Sequence, residues 1–198
     1  MFNESKLKQV IALTQECNKC AMLHFKTFNK NSVNFKTDNS PVTQADLEVS
    51  KMAVNGLQKI FPDIKIISEE SNKSQKFFKN NKVFWLIDPI DGTKEYINSS
   101  PNFTVNFALI ENRLPVFGLI SQPHSGIIWY SFRGKAWKIE PKEAISNAKH
   151  IQCSSINYDK LRILSSFNHR STELDNWISI AKPISDSHIG SSIKFCYM

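Results

Sequence analysis

The chain has 198 residues, 41% of them hydrophobic and 22% charged, a composition that suits a packed globular protein and excludes a disordered or fibrous one. A formal net charge of +7 favours anionic partners such as nucleotides, phosphate esters, nucleic acid or anionic lipid, although tracts such as NKSQKFFKNNK (72–82) read as solvated loop. No apolar run approaches the roughly 20 residues of a spanning helix, MFNESKLKQV lacks the apolar core of a signal peptide, and the four cysteines suggest no disulfide framework, which together point to a reducing cytosol.

Residues 4–28 carry a helical pattern, with Leu7, Val10, Ile11, Cys17, Ala21, Phe25 and Phe28 near one face. Asn3 suits the N-cap and Glu4 the positive end of the helix dipole. Cys17 and Cys20 read C-x-x-C. With no second Cys or His pair nearby, they read as two small half-buried residues rather than a zinc or redox site. A polar connection follows at 29–41. The next helix is predicted from Thr43 to Phe61, with Val49, Met52, Ala53, Leu57 and Ile60 on its apolar face and Pro62 just beyond it. Asp46, three residues after Thr43, fits a capping box.

IKIIS (64–68) reads as a short strand leading into Glu69-Glu70, and Val83–Ile87 as a second strand ending in Asp88. From Phe103 the pattern is that of hairpins. FTVNFALIE (103–111) meets LPVFGLISQ (114–122) across Asn112-Arg113, and GIIWYSF (126–132) meets KAWKIE (135–140) across Arg133-Gly134, which predicts an antiparallel meander. Residues 141–155 read as a connection, LRILSS (161–166) as a strand, 172–181 as a helix, and GSSIKFCYM as the start of another helix. The expected organisation is α+β, with a catalytic domain over 1–145 and the start of an α/β domain over 146–198.

The two strands before the meander deliver Glu69, Asp88 and Asp91 to their C-terminal ends, where open sheets often place ligands. Three carboxylates converging there need compensation, and an all-oxygen set suits a hard divalent cation such as Mg²⁺. Pro89 stiffens the link between the two aspartates, and Gly92 lets backbone approach an anion closely. The amides of Gly92 and Thr93 could then hold phosphate oxygens. Taken alone, DPIDGT fits a turn with capping aspartates as well as a metal site, and Asp46 fits an ordinary cap.

DNSPVTQAD (38–46), ISEES (67–71), WLIDPIDGTKEYI (85–97), FTVNFALIE and GSSIKFC (190–196) occur in one order. Together they resemble the inositol monophosphatase family of Mg²⁺-dependent phosphatases, with Lys94-Glu95 and the GSS-x-KFC end closer to its CysQ-type 3'(2'),5'-bisphosphate nucleotidase branch. The resemblance implies the layered α/β/α/β/α sugar-phosphatase fold, with its C-terminal α/β part incomplete. It implies metal ligation by Glu69, Asp88, Asp91 and the carbonyl of Ile90, with two or three Mg²⁺ ions. It casts Asp46 and Thr93 as the pair that orients and deprotonates the attacking water. Gly92 and Thr93 become a phosphate cradle, Glu69, Ile90 and Asp91 also meet the substrate, and Gly190, Ser191 and Ser192 form a loop against the rest of it. Read alone, the Gly-Ser-Ser stretch is equally a helix N-cap.

The implied activity is hydrolysis of adenosine 3',5'-bisphosphate to AMP and phosphate, clearing a by-product of sulfate activation. The implied partner is a small phosphorylated nucleotide, not nucleic acid. The implied location is cytoplasmic, with peripheral association at the inner face of a bacterial inner membrane left open. The family carries a further metal-binding aspartate in a Trp-Asp motif beyond the GSS loop, whereas this sequence ends at Met198 and Trp177 follows Asp175-Asn176. A C-terminally truncated chain with little activity of its own is therefore expected. The alternatives are an inositol monophosphatase or other sugar-phosphate phosphatase, and a non-catalytic nucleotide- or nucleic-acid-binding remnant. Phe77-Phe78 among the lysines is the local hint for nucleic acid.

Overall fold

A computed structural model describes residues 2–28, 34–35, 41–71, 82–166 and 170–198. Helix α1 spans Glu4–Lys26, and Asn3 caps it by accepting from the Lys6 N–H at 3.0 Å. Its buried positions, Leu7, Val10, Ile11, Thr14, Cys17, Asn18 and Ala21, recur at three- and four-residue steps, as one helix face requires. Two short strands follow, β1 (Asn34–Phe35) and β2 (Pro41–Val42), paired antiparallel in what reads as connection from sequence. Helix α2 (Gln44–Ile60) starts on the expected Thr43–Asp46 capping box and buries Ala45, Asp46, Val49, Ser50, Ala53 and Leu57. The two helices approach closely at Gly56, where a Cβ would come within 2.3 Å of Leu13 Cδ1.

Strands β3 (Lys65–Ser68), β4 (Val83–Asp91), β5 (Thr104–Glu111), β6 (Leu114–Gln122), β7 (Ile127–Phe132), β8 (Lys135–Ile139) and β9 (Lys149–Ile151) form one seven-stranded sheet in sequential order. β3 and β4 are parallel and the remaining pairs antiparallel. The meander is as expected, and both predicted hairpin turns have two residues of positive φ: Asn112 (50°) with Arg113 (69°), and Arg133 (52°) with Gly134 (72°). This is the twist-matched two-residue connection of antiparallel strands. β9 lies in the stretch read as connection and beyond residue 145. Its polar sequence KHI carries no strand pattern of its own, and its order comes from pairing with β8, where Trp137 faces His150.

Trp85, Ile87, Val105, Phe107 and Leu109 alternate into the core shared with α1 and α2. Phe2, Phe61, Trp85 and Phe117 form an aromatic cluster with ring centroids 4.7 Å (Phe2–Phe117), 5.1 Å (Phe61–Trp85) and 5.7 Å (Trp85–Phe117) apart. Full burial of a side chain such as Phe117 stabilises by about 1.5–3 kcal/mol.

After β9, strand β10 (Arg162–Ser165), a helix at Thr172–Ala181 and β11 (Ser185–His188) make a separate parallel strand pair with a crossover helix. β11 reads SDSH and is invisible to hydrophobic patterning. The final helix is 3-10 over Ser192–Cys196. Most of the lysine-rich stretch 72–82, including Phe77-Phe78, lies outside the described residues, as do residues 38–40 of the first quoted motif.

Candidate active site

The strand read from sequence as ending at Ile87 continues to Asp91. Asp88 pairs with Asn106 and Asp91 with Thr104, so three steps on β4 oppose two on β5. That is a β-bulge over Pro89 and Ile90, and a proline, lacking an N–H, is tolerated there. Asn106 and Thr104 are two apart and share a face, so the bulge puts Asp88 and Asp91 on one face as well. Ser192 spans that face: its Oγ lies 2.8 Å from Thr104 Oγ1 and 3.1 Å from Asn106 Oδ1, and its N–H donates to Asp91 Oδ2. The register Ser68↔Ile87 between parallel β3 and β4 brings Glu69 alongside Asp88, and the Glu69 N–H donates to the Ile87 carbonyl at 2.9 Å.

The electrostatics follow from this crowding. Burial, then the nearby Glu69 and Asp91 carboxylates, then a hydrogen bond with Glu69 and the charge of Asp46 push the Asp88 carboxyl up to about 8. Its Oδ1 is buried with no hydrogen-bond partner among the described residues. Asp46 is 2% exposed, and burial pushes it up to about 6; the Thr43 hydroxyl and N–H oppose the shift, donating to Asp46 Oδ2 at 2.5 and 2.8 Å, while Glu70 adds to it. Asp46 and Asp88 thus belong to one electrostatic cluster although they come from a helix start and a strand end.

Helix α3 (Thr93–Ile97) begins after Gly92, which sits in the left-handed region at φ 94°. A Cβ at Gly92 would lie 3.1 Å from Ser191 Cβ and 3.2 Å from the Asn102 carbonyl oxygen. Thr93 Oγ1 donates to the Ile90 carbonyl at 3.2 Å. The Glu95 side chain fills the space beside Gly190, where a Cβ would come within 2.0 Å of its Oε1. Ser191 does cap the 3-10 helix, accepting from the Ile193 N–H at 3.3 Å, while Ser192 reaches the carboxylates. Of the two alternatives open in the sequence, the cap is present at Ser191, and Ser192 sits against Asp91. Of the expected residues, Asp46, Glu69, Asp88 and Asp91 are linked electrostatically or through hydrogen bonds, Thr93 is hydrogen-bonded to the Ile90 carbonyl, and Ser191 borders the space a side chain at Gly92 would occupy.

Thr104 and Asn106 were not foreseen as partners of this cluster. Their signal was two polar residues two positions apart in the otherwise apolar FTVNFALIE.

The model of the inositol monophosphatase family matches residues 3–198. The chain belongs to the inositol monophosphatase family. Among similar family members are the 3'(2'),5'-bisphosphate nucleotidases CysQ of Buchnera aphidicola and of Escherichia coli strain K12, each 33% identical over 190 residues. That alignment covers 96% of this chain and 70% and 75% of theirs. The crystal structure of CysQ from Bacteroides thetaiotaomicron matches with a TM-score of 0.79 at 26% identity, over 98% of this chain and 76% of that one. An IMPase of Thermotoga maritima shares the fold with a TM-score of 0.76 at 24% identity, over 98% of this chain and 72% of that one. The mixed α+β architecture is that of the inositol monophosphatase family, and among the described residues no helix is long and apolar enough to cross a membrane.

Proposed function

We propose that this chain is a Mg²⁺-dependent phosphomonoesterase acting on adenosine 3',5'-bisphosphate, releasing phosphate and AMP. The observation that carries the reading is Asp88, a half-buried carboxylate crowded by Glu69 and Asp91, whose buried Oδ1 has no hydrogen-bond partner among the described residues. Such a group fits a cation held by oxygen ligands. The choice of nucleotide over other phosphate esters rests on the names of the CysQ relatives.

In this reading Glu69, Asp88, Asp91 and the Ile90 carbonyl would hold two or three Mg²⁺ ions. When bound, Mg²⁺ supplies Lewis-acid polarisation of the phosphoryl oxygens and makes water a better nucleophile at neutral pH. The protein's own groups position and move protons. Asp46, more basic than an ordinary carboxylate and locked by Thr43, accepts the proton of the attacking water, and Thr93 orients that water. Gly92 lets the main chain approach the phosphate, and the Gly190–Ser192 loop contacts the nucleoside side of the substrate. Water attacks phosphorus as its proton passes to Asp46, the bond from phosphorus to the 3'-oxygen breaks, and the leaving oxygen takes a proton from solvent to become the AMP hydroxyl. Positioning and preorganised charge account for most of the acceleration.

We assign the metal ligands, Asp46 and Thr93 to a first domain over about 1–145 and read β10 to β11 as the start of a second, which supplies the Gly190–Ser192 loop, with β9 tying the first residues of that second part to the large sheet. A cytosolic location suits a nucleotide by-product of sulfate activation. The test is phosphate release from adenosine 3',5'-bisphosphate and inositol 1-phosphate in parallel, with Mg²⁺ and with chelator. Whatever its rate, Mg²⁺-dependent release is expected to favour the nucleotide. Release favouring the inositol ester reassigns the substrate, and nucleotide binding without release marks a non-catalytic binder.

A further inference from the structure

Helices α1 and α2 bring together a second set of ligand-type side chains, built from groups the proposed reaction does not use. Cys20 and His24 are four residues apart in α1 and therefore stack on one helix face. Glu48 faces them from α2. One ligand atom from each, thiol sulfur, imidazole nitrogen and carboxylate oxygen, lies within 4.8 Å of the other two. His24 Nε2 is 2.8 Å from Glu48 Oε2, and Gln44 Nε2 holds the other Glu48 oxygen at 2.8 Å.

The C-x-x-C reading of the sequence divides here. Cys17 is fully buried in the core, while Cys20 is half-buried and borders an open groove of about 750 Å³ together with Glu48 and Gln44. The partner of Cys20 is thus a histidine one turn on and a carboxylate from the next helix, a combination no local motif announces.

We propose that Cys20, His24 and Glu48 form a binding site for a zinc-class transition-metal ion, separate from the carboxylate cluster. The donor set decides the metal. Sulfur and imidazole nitrogen suit Zn²⁺ and its neighbours, whereas Mg²⁺ takes oxygen ligands alone. Three protein ligands from two packed helices leave a fourth position for water or a small ligand, and two of the three, Cys20 and Glu48, border the groove. Gln44 fixes the Glu48 carboxylate in the orientation it needs, as outer partners of metal ligands commonly do. On binding, the thiol proton is released and sulfur becomes the anionic ligand, with no change in oxidation state. Burial and the Glu48 charge raise the Cys20 thiol, so it enters this exchange protonated.

The test is titration of the full chain with Co²⁺ and Zn²⁺ under excess Mg²⁺, which occupies the carboxylate cluster. Expected are one equivalent per chain and a thiolate-to-cobalt absorption band. That band disappears in Cys20→Ser and persists in Cys153→Ser, which removes the exposed thiol. His24→Gln and Glu48→Gln are each expected to weaken Zn²⁺ binding by at least about 10–100-fold. Circular dichroism melting confirms that the variants fold, and their Mg²⁺-dependent phosphate release is expected to match the parent. Three outcomes overturn the site: no thiolate band, Zn²⁺ binding undiminished in Cys20→Ser and His24→Gln, or binding lost in Asp88→Asn instead.

Discussion

Asp88 and Asp91 are three positions apart in one strand and yet lie on the same face of the sheet. In a regular strand an odd separation sends side chains to opposite faces. The bulge over Pro89 and Ile90 absorbs the extra residue, and Asn106 and Thr104 on the neighbouring strand receive the two aspartates on one side. With Glu69 beside Asp88, the outcome is a carboxylate cluster that is costly without a cation, and the predictions below test that cost.

Asp88→Asn is expected to lower kcat/KM by on the order of 10³-fold, equivalent to about 4 kcal/mol of transition-state stabilisation. The same substitution relieves repulsion by Glu69 and Asp91, so metal-free protein is expected to melt higher by roughly 3 °C. Phosphate-release kinetics with Mg²⁺ and thermal melting in chelator check the two halves. A variant that loses activity and also melts lower in chelator speaks against repulsion at Asp88.

The pH dependence of stability follows from Asp88 and Asp46. Both have folded-state values above the ordinary 3.8, about 8 and about 6 respectively, so between those limits the folded state holds more protons than the unfolded chain. Their contribution is therefore full below about pH 4 and is lost progressively as pH rises towards 8. Chelated protein is expected to show these two groups as a falling component of the melting temperature between pH 5 and 8. Excess Mg²⁺ should flatten it, and Asp88→Asn should remove most of it. A component that survives Asp88→Asn unchanged contradicts the assignment.

Thr43→Ala removes the hydroxyl of the capping box and with it one of the hydrogen bonds that hold down the Asp46 carboxyl. A loss of about 1 kcal/mol in stability is expected from the cap. Asp46 should then titrate at higher pH, moving the acidic limb of the kcat/KM profile in the same direction. Urea unfolding and a pH–rate profile measure the two effects. Thr43→Ser, which keeps the hydroxyl, is expected to behave as the parent does.

Gly92→Ala places a Cβ at φ 94° with Ser191 and the Asn102 carbonyl 3.1 and 3.2 Å away. Left-handed strain and these contacts together are expected to cost about 1–3 kcal/mol. Because Ser191 and Ser192 sit on the same junction, kcat is expected to fall more than global stability implies. Gly134→Ala is the control: its φ is also positive, but nothing lies within 4 Å of the added methyl.

The helices, the hairpins and their turns were legible in the sequence because their signals are local. Apolar spacing outlined α1 and α2, Thr43 and Asp46 marked a capping box, and Asn112-Arg113 and Arg133-Gly134 marked two-residue turns. The candidate carboxylates were legible too, since charged residues ending apolar runs stand out against the composition of a buried strand. β9 and β11 were not, because KHI and SDSH owe their order to the strands beside them.

Residue identity by itself determined which acids and hydroxyls were available at the site and roughly which element carried each. Only the tertiary structure decided that Asp88 and Asp91 share a face, that Ser192 docks on Thr104 and Asn106, and that Cys20 meets Glu48 while Cys17 turns into the core. The physical reason is that bulge register and helix–helix contact are set by partners distant in the chain, and no window along the sequence contains both sides of such a contact.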